Sequence, residues 1–413
     1  MARIAVDRLQ PGVFISLTEI GWLRHPFLLN EFRITSERQV RALREMGLKE
    51  VPWDPKRSTA EPLEVSPVGT AEEEADWGDA ALASMLDDKR QRVERVRALR
   101  ETLARREREY EQSLAGANAI LRLVTAKPLE AHAQAQALIQ RNVDVLLNSE
   151  SVAVHLVNQK AREVGLPQHA LNVMVLSLLL GKAVGLSAEE MRSLGMGALL
   201  HDVGKHEIPA RILRAARRTP PEEEFYRAHI GYGIKDVAGM RELTTAARNI
   251  IACHHERCDG SGFPNGLAGE KIPRLARIVA IANRYDNLCN PFDAGPAKMP
   301  VEALARLLKH EAGHFDRELL NRFIRLMGIY PPGTFVRLTN DSVGLVMETD
   351  PDNLLRPLVM LYDAEIPRNE ALVLDLVAAD LAIEGPVDPS TLPSAVIEYL
   401  APRGRVDYYV DSR

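Results

Sequence analysis

Apolar and polar positions alternate along the first fifty residues. Runs at Arg3-Ile4-Ala5-Val6, Val13-Phe14-Ile15 and Phe32-Arg33-Ile34 predict short strands, with a turn at Pro11-Gly12, and Val40, Leu43 and Leu48 follow at helical spacing. From Pro52 to Asp79 the pattern lapses into Pro52, Pro55, Pro62 and Pro67 followed by Glu72-Glu73-Glu74, which predicts a flexible linker. Between Leu82 and Val124 a heptad register places Leu86, Val93, Leu114 and Leu121 on one seam position and Leu82, Val96, Leu103, Tyr110, Ala117 and Val124 on the other, broken at Lys89, Arg100 and Glu107. That seam predicts a long helix that pairs with a second chain or folds back within its own; a charged surface helix is the competing reading. From Pro128 to Met327 the period is almost continuously helical, with a capping-box start at Ser187 and Glu190. After Tyr330-Pro331-Pro332-Gly333 the chain turns to β-rich runs at 334–338, 343–346 and 358–362.

These patterns divide the chain into an α+β unit with its acidic linker over 1–75, a long heptad-patterned, coiled-coil-like helix over 78–126, an all-α domain over 127–330 and a small β-rich unit over 331–413. A length of 413 residues suits such a multidomain chain. The 52 Lys+Arg against 57 Asp+Glu leave a net charge of -5 and no chain-wide basic field for duplex nucleic acid. The longest strongly apolar stretch, Leu171 to Leu180, is far short of the roughly 20 residues of a transmembrane helix. The opening residues lack a signal-peptide core, and Cys253, Cys258 and Cys289 cannot all pair, so reduced thiols in a cytoplasmic protein are expected.

Histidine changes the picture. Six of the 11 histidines, His169, His201, His206, His229, His254 and His255, lie between positions 169 and 255. Adjacent His201-Asp202 ends an apolar helical stretch, where a buried charge is costly unless something pairs with it, and a divalent cation would do so. Gly204 is expected to end that helix, and Lys205 to bring an ammonium close to those ligands, suited to a phosphate oxygen. A second pair, His254-His255, runs into the glycine-rich Asp259-Gly260-Ser261-Gly262-Phe263-Pro264-Asn265-Gly266, a tight loop that lets backbone approach a ligand.

HDVGK at 201–205 with Ile208-Pro209, HHE at 254–256 with DGSGFPNGL, and RIVAIANRYDNL at 277–288 together resemble the HD-GYP branch of the HD phosphohydrolases, in order and spacing, from about residue 150 to 330. The first fifty residues, GWLRHPF at 21–27 in particular, resemble the domain of unknown function that often precedes HD-GYP domains, which makes a sensory role the expectation for 1–75. The resemblance implies an all-helical HD-type domain holding two or three Fe or Mn ions, which hydrolyses cyclic di-GMP or a related cyclic dinucleotide through a hydroxide between two metals. By position, His169, His201 and Asp202 would hold one metal and Asp202, His229, His254 and His255 the other. Asp202 is then the bridge, Lys205 faces the substrate phosphate, and Gly262, Phe263 and Pro264 belong to the substrate-binding loop.

Four departures from the family pattern bear on this. The final aspartate ligand is Asn283, whose amide oxygen can coordinate a hard cation without neutralising it, and Asp286 is a candidate substitute one turn along. Gly165 stands where trinuclear members carry a glutamate, so two metals are expected. Phe263 replaces the motif tyrosine, and CNPF at 289–292 stands where many members have an arginine-containing segment. The alternatives are a degenerate HD-GYP domain that binds nucleotide or a GGDEF-domain partner without turnover, favoured by Asn283 and CNPF, and a nucleotide phosphohydrolase of different substrate.

Overall fold

A computed structural model describes residues 2–20, 25–27, 30–64, 78–148, 152–157, 165–292, 295–349, 357–364, 366–368, 371–376, 381–401 and 406–412. The chain opens on strands β1 (Ala2–Ala5), β2 (Phe14–Ser16), β3 (Glu31–Arg33) and β4 (Glu50–Trp53), an antiparallel sheet in the order β1-β4-β2-β3, with helix α1 (Glu37–Glu45) between β3 and β4. Of the segment 21–27, residues 21–24 lie outside the described residues; His25 is buried with Nε2 on Asn30 Oδ1 at 3.0 Å. The linker expected from Pro52 is not what residues 52–64 form. Residues 52–53 belong to β4, and 54–64 are tied back onto the sheet through Thr59 N–H to Gly12 O at 2.8 Å and Leu63 N–H to Arg8 O at 3.0 Å. Gly12, at φ +99°, holds the turn against which Ala60 packs. The acidic run 72–74 lies outside the described residues.

Helix α2 (Gly78–Leu123) is continuous, and its second half packs within its own chain. Leu103, Tyr110 and Ala117 are buried in the main core, as is Val124 just beyond the helix, so one heptad seam is consumed there. Buried Arg106 pairs with Glu348 at 3.4 Å, and Glu109 accepts from the Tyr409 hydroxyl at 2.8 Å.

The helical body comprises α3 (Pro128–Asn148), α4 (Leu166–Ala183), α5 (Ala188–Leu200), α6 (Ala210–Leu213), α7 (Pro220–Arg227), α8 (His229–Asp236), α9 (Thr245–Cys253), α10 (Arg274–Cys289), α11 (Pro300–His310) and α12 (Arg317–Met327). The stretch 169–181 of α4 is buried on every side, so Leu171 to Leu180 is the axis of this body. The helical run has one interruption among the described residues, strand β5 (Val152–Val157). Its β-branched Val152, Val154 and Val157 suit a strand, but its partners lie near the far end of the chain, leaving no local hairpin signal.

Strands β6 (Phe335–Leu338), β7 (Val343–Thr349), β8 (Leu358–Leu361), β9 (Val373–Asp375), β10 (Ile383–Pro386) and β11 (Asp407–Ser412) join β5 in a second antiparallel sheet, with helix α13 (Ser394–Leu400) before β11. β11 runs along β5 from Asp407 opposite Val157 to Ser412 opposite Val152. Alternate residues of this sheet face opposite ways: Phe335, Leu345, Met347, Met360 and Val373 join the helical core, while Val336, Leu338, Val346, Val359, Leu361, Leu372 and Leu374 join Ile4, Val13, Ile15, Val40 and Leu43. The C-terminal sheet is therefore a middle layer. No helix among the described residues is long and apolar enough to cross a membrane.

Candidate metal centre

Helix α5 starts on the predicted capping box: Ser187 Oγ accepts from Glu190 N–H at 3.3 Å, and the Glu190 carboxylate accepts from Ser187 N–H at 2.9 Å. Its far end delivers His201 and Asp202, both buried, to the middle of the body. Gly204 does not cap the helix in a left-handed conformation. It lies in the 3-10 turn Val203–Glu207, where a Cβ would stand 2.2 Å from His229 O and 2.3 Å from Gly233 N, so its bareness lets this turn close on α8.

Three ring orientations follow one rule. The Nδ1 atoms of His201, His229 and His254 each donate to the carbonyl three residues earlier, Ala198 at 2.7 Å, Tyr226 at 2.6 Å and Ile251 at 3.0 Å. Each bond fixes the tautomer and leaves Nε2 bare and pointed inward. His169, on α4, achieves the same with a side chain: its Nδ1 lies 2.6 Å from Asp286 Oδ2. The four Nε2 atoms converge on Asp202. His169 and His201 lie 3.3 Å from Oδ2, and His254 and His229 lie 3.4 and 3.5 Å from Oδ1.

Two groups of ligand atoms result, His169, His201 and Asp202 on one side and Asp202, His229, His254 and His255 on the other, each group within 4.8 Å. Asp202 Oδ1 and the Nε2 atoms of His229, His254 and His255 are buried without a hydrogen-bond partner. Four orphaned acceptors or donors in one spot are costly unless something else satisfies them, and imidazole nitrogens around a carboxylate are the donor set of a divalent transition metal. The residues fit the metals that the resemblance implies.

Protonation agrees with that fit. Burial lowers His201 to about 4 against the pull of Asp202, and lowers His229 to about 3. Burial, then His254, pushes His255 well below its usual value. Their lone pairs are free at neutral pH. Burial opposes ionisation of Asp202, but the charges of His201 and Lys205 hold its carboxyl well below the usual range. His169 differs: burial would lower it, yet its hydrogen bonds to Asp202 and Asp286 raise it.

Lys205 is buried with Nζ 2.5 Å from Asp202 Oδ2, and it lines a cleft of about 310 Å³ together with Tyr226, His254, His255, Asn283 and Phe292. Asn283 thus sits at the site, but its Oδ1 already accepts from Asn287 Nδ2 at 2.5 Å. Asp286 does not take its place, because it holds the outer nitrogen of His169. Gly262, Phe263 and Pro264 stand behind His255 and are not among the residues lining the cleft. Phe263 stacks on His255 at 4.5 Å and 19°, and a Cβ on Gly262 would lie 2.4 Å from Arg257 N. Cys253 and Cys258 belong to neither ligand group.

The sequence reading assigns no role to five residues of this site, Glu256, Arg218, Tyr226, Arg257 and Arg284. Glu256 is buried and pins the glycine-rich loop by accepting from Asn265 N–H at 2.7 Å and Leu267 N–H at 2.9 Å. Arg218 lies 3.9 Å over the Tyr226 ring, and both line the cleft, where Arg218 and Arg257 supply the cationic character that CNPF lacks, while Arg284 in the same wall is paired with Glu311 at 2.7 Å. The adjacency of Glu256 to His254-His255 was a signal for the first; nothing in the spacing of Arg218 or Tyr226 marked them.

Residues 145–319 match the HD domain family, and residues 1–135 match the domain of unknown function DUF3391. The chain is 29% identical over 364 residues to the cyclic di-GMP phosphodiesterase PA4108 of Pseudomonas aeruginosa, covering 88% of this chain and 85% of that protein. It is 37% identical over 149 residues to the cyclic di-GMP phosphodiesterase response regulator RpfG of Xanthomonas campestris, covering 36% of this chain and 39% of RpfG. It is 31% identical over 183 residues to 3'3'-cGAMP-specific phosphodiesterase 2 of Vibrio cholerae, covering 43% of this chain and 35% of that protein.

Proposed function

We propose that this chain, whose residues 145–319 match the HD domain family behind a DUF3391 match at 1–135, is a metal-dependent phosphodiesterase that hydrolyses cyclic di-GMP in bacterial second-messenger signalling. The carrying observation is the set of orphaned atoms around Asp202, opening beside a cleft edged with cations. The similarity to enzymes named for cyclic di-GMP and for 3'3'-cGAMP supports a cyclic dinucleotide as substrate.

His169, His201 and Asp202 would hold one ion, and Asp202, His229, His254 and His255 the other, with Asn283 at the edge of the second. Two ions fit two ligand groups sharing one carboxylate, and an imidazole and carboxylate set accepts Fe or Mn, the ions that the family resemblance implies. When bound, such a pair acidifies water and polarises a phosphoryl oxygen. The chain's own residues do the rest. Asp202 places one oxygen toward each histidine group, and Lys205, fixed by Asp202, presents a cation at the cleft to the charge that builds on the phosphoryl oxygens. Phe263 holds the His255 ring by stacking, and Glu256 holds the loop that carries Phe263.

The second reading, a non-catalytic module that binds nucleotide or a GGDEF-domain protein, draws on one observation, the engagement of Asn283 Oδ1 by Asn287. Under either reading we place the protein in the cytoplasm, with 1–75 as its sensory unit and with two chains paired by the part of α2 that precedes Leu103. The deciding experiment is to purify the full chain anaerobically, count its metals, and follow cyclic di-GMP and cyclic GMP-AMP by chromatography with Fe or Mn supplied. Turnover of neither, with metals bound, overturns the catalytic reading.

A further inference from the structure

The last strand reaches the metal centre by a route made wholly of buried polar groups. Asp286 on α10 is fully buried and spends Oδ2 on His169. Its Oδ1 accepts from Asn172 Nδ2 at 2.8 Å and from Asn290 Nδ2 at 2.9 Å, the first amide one turn beyond His169 on α4, the second one turn beyond Asp286. The same two amides are gripped by the backbone just before and at the start of β11. Asn290 Nδ2 donates to Val406 O at 2.7 Å and its oxygen accepts from Val406 N–H at 3.0 Å. Asn172 Nδ2 reaches Val406 O at 3.2 Å and Asp407 Oδ1 at 3.3 Å, and its oxygen accepts from Tyr408 N–H at 3.1 Å.

Apolar side chains would have sufficed to dock a strand on two helices. Here amides and backbone converge on one carboxylate whose other oxygen sets a ring in the metal centre. Such a network fixes direction as well as distance, because both amides use their oxygen and their nitrogen at once, between Asp286 and the backbone of Val406 and Tyr408.

We propose that Val406–Tyr408 is a positioning element of the metal centre: through Asn172 and Asn290 it locks Asp286 against His169, and so sets the metal affinity of the group formed by His169, His201 and Asp202. The inference rests on the metal reading above. It assigns the C-terminal strand to one of the two half-sites and not to the other, since His229 and His254 are oriented by backbone carbonyls three residues earlier, Tyr226 O at the end of α7 and Ile251 O on α9.

The test is a titration of the full chain with Mn(II), followed by electron paramagnetic resonance. Asn290→Ala should weaken one of the two Mn(II) sites by about 10- to 100-fold, the usual effect of losing a partner behind a ligand, and leave the other unchanged. Tyr409→Phe, which removes a hydrogen bond from the same strand to Glu109, should leave both sites unchanged. A folded Asn290→Ala chain that binds both ions like wild type overturns the proposal. Should Asn290→Ala not fold, wild type decides alone. Binding free energies are reciprocal, so Mn(II) must slow hydrogen exchange at the amides of Val406 and Tyr408. Unchanged exchange there in a chain with Mn(II) bound overturns the inference by itself, whereas a wild type that takes up no Mn(II) overturns the metal reading and this inference with it.

Discussion

His254 turns Nε2 to Oδ1 of Asp202 at 3.4 Å, and neither atom has a hydrogen-bond partner. Removing either side leaves an incomplete donor set. Asp202→Ala and His254→Ala are each expected to abolish turnover and to lower the metal count, measured by elemental analysis beside the activity assay. Lys205→Ala should keep its metals and lose on the order of 10²- to 10³-fold in kcat, as expected for a missing charge at a developing oxyanion.

Metal removal should be visible in stability as well as activity. A wild-type chain prepared without chelator is expected to hold about two transition-metal ions, by analogy with its two ligand groups. Loading at about a hundredfold over Kd stabilises the fold by about 2.7 kcal/mol, so chelation should lower the melting temperature and Mn(II) should restore it. A melting curve indifferent to chelator, with no metal found, would contradict the fit of the site.

Asn283→Asp adds the negative charge that the departing family residue leaves out. It should tighten metal binding, read by competition with a chelator, without creating activity from nothing. Turnover in Asn283→Asp together with none in wild type would favour the receptor reading.

Glu311, which lines the cleft without belonging to either ligand group, gives a pH dependence of stability. Burial would raise its carboxyl, but hydrogen bonds and charges from Arg284 and Arg306 bring it down to about 2. A depressed carboxyl contributes stability above its unfolded value, and that contribution fades as pH falls from about 4.3 toward 2. Wild type should therefore melt above Glu311→Gln at pH 6, and the gap should shrink on titration to pH 3. A gap independent of pH would mean that the carboxylate charge is not what matters.

Chain pairing should depend on the first half of α2 alone. Light scattering on the full chain is expected to report a dimer, and Leu86→Glu combined with Val93→Glu a monomer. Tyr110→Glu should instead destabilise the fold, because that seam residue is buried in its own chain. Unaltered mass in the double variant would remove the seam from assembly.

Of the histidines that gather around Asp202, His201, His254 and His255 have a local sequence signal, two adjacent pairs at the ends of apolar helices, while His169 and His229 stand alone and are placed only by the family resemblance. What orients them was not legible. The carbonyls of Ala198, Tyr226 and Ile251 carry no side-chain signature, and Asp286 meets His169 across 117 positions. The heptad reading located Leu103, Tyr110 and Ala117 correctly as a seam, yet periodicity identifies a buried stripe without naming its partner, here α3, α4 and the sheet. β5 was absorbed into the helical run for a related reason, since its pairing with β11 is a contact between distant parts of the chain. Gly204 was recognised as special for the wrong cause, because close approach to His229 and a helix end both call for glycine.

The middle-layer sheet also sets a clock on synthesis. Ile4, Val13, Val40 and Leu43 find the buried other half of their core in residues 336–376. The first fifty residues leave the ribosome long before those strands exist, and through that interval their apolar face is bare, open to chaperones and to neighbouring nascent chains. A ribosome stalled anywhere in the helical body would hold out an adhesive patch, and release of the last strands would close it. The N-terminal sheet therefore matures together with the middle layer, and the slowest stretch of translation between them decides how long it stays sticky.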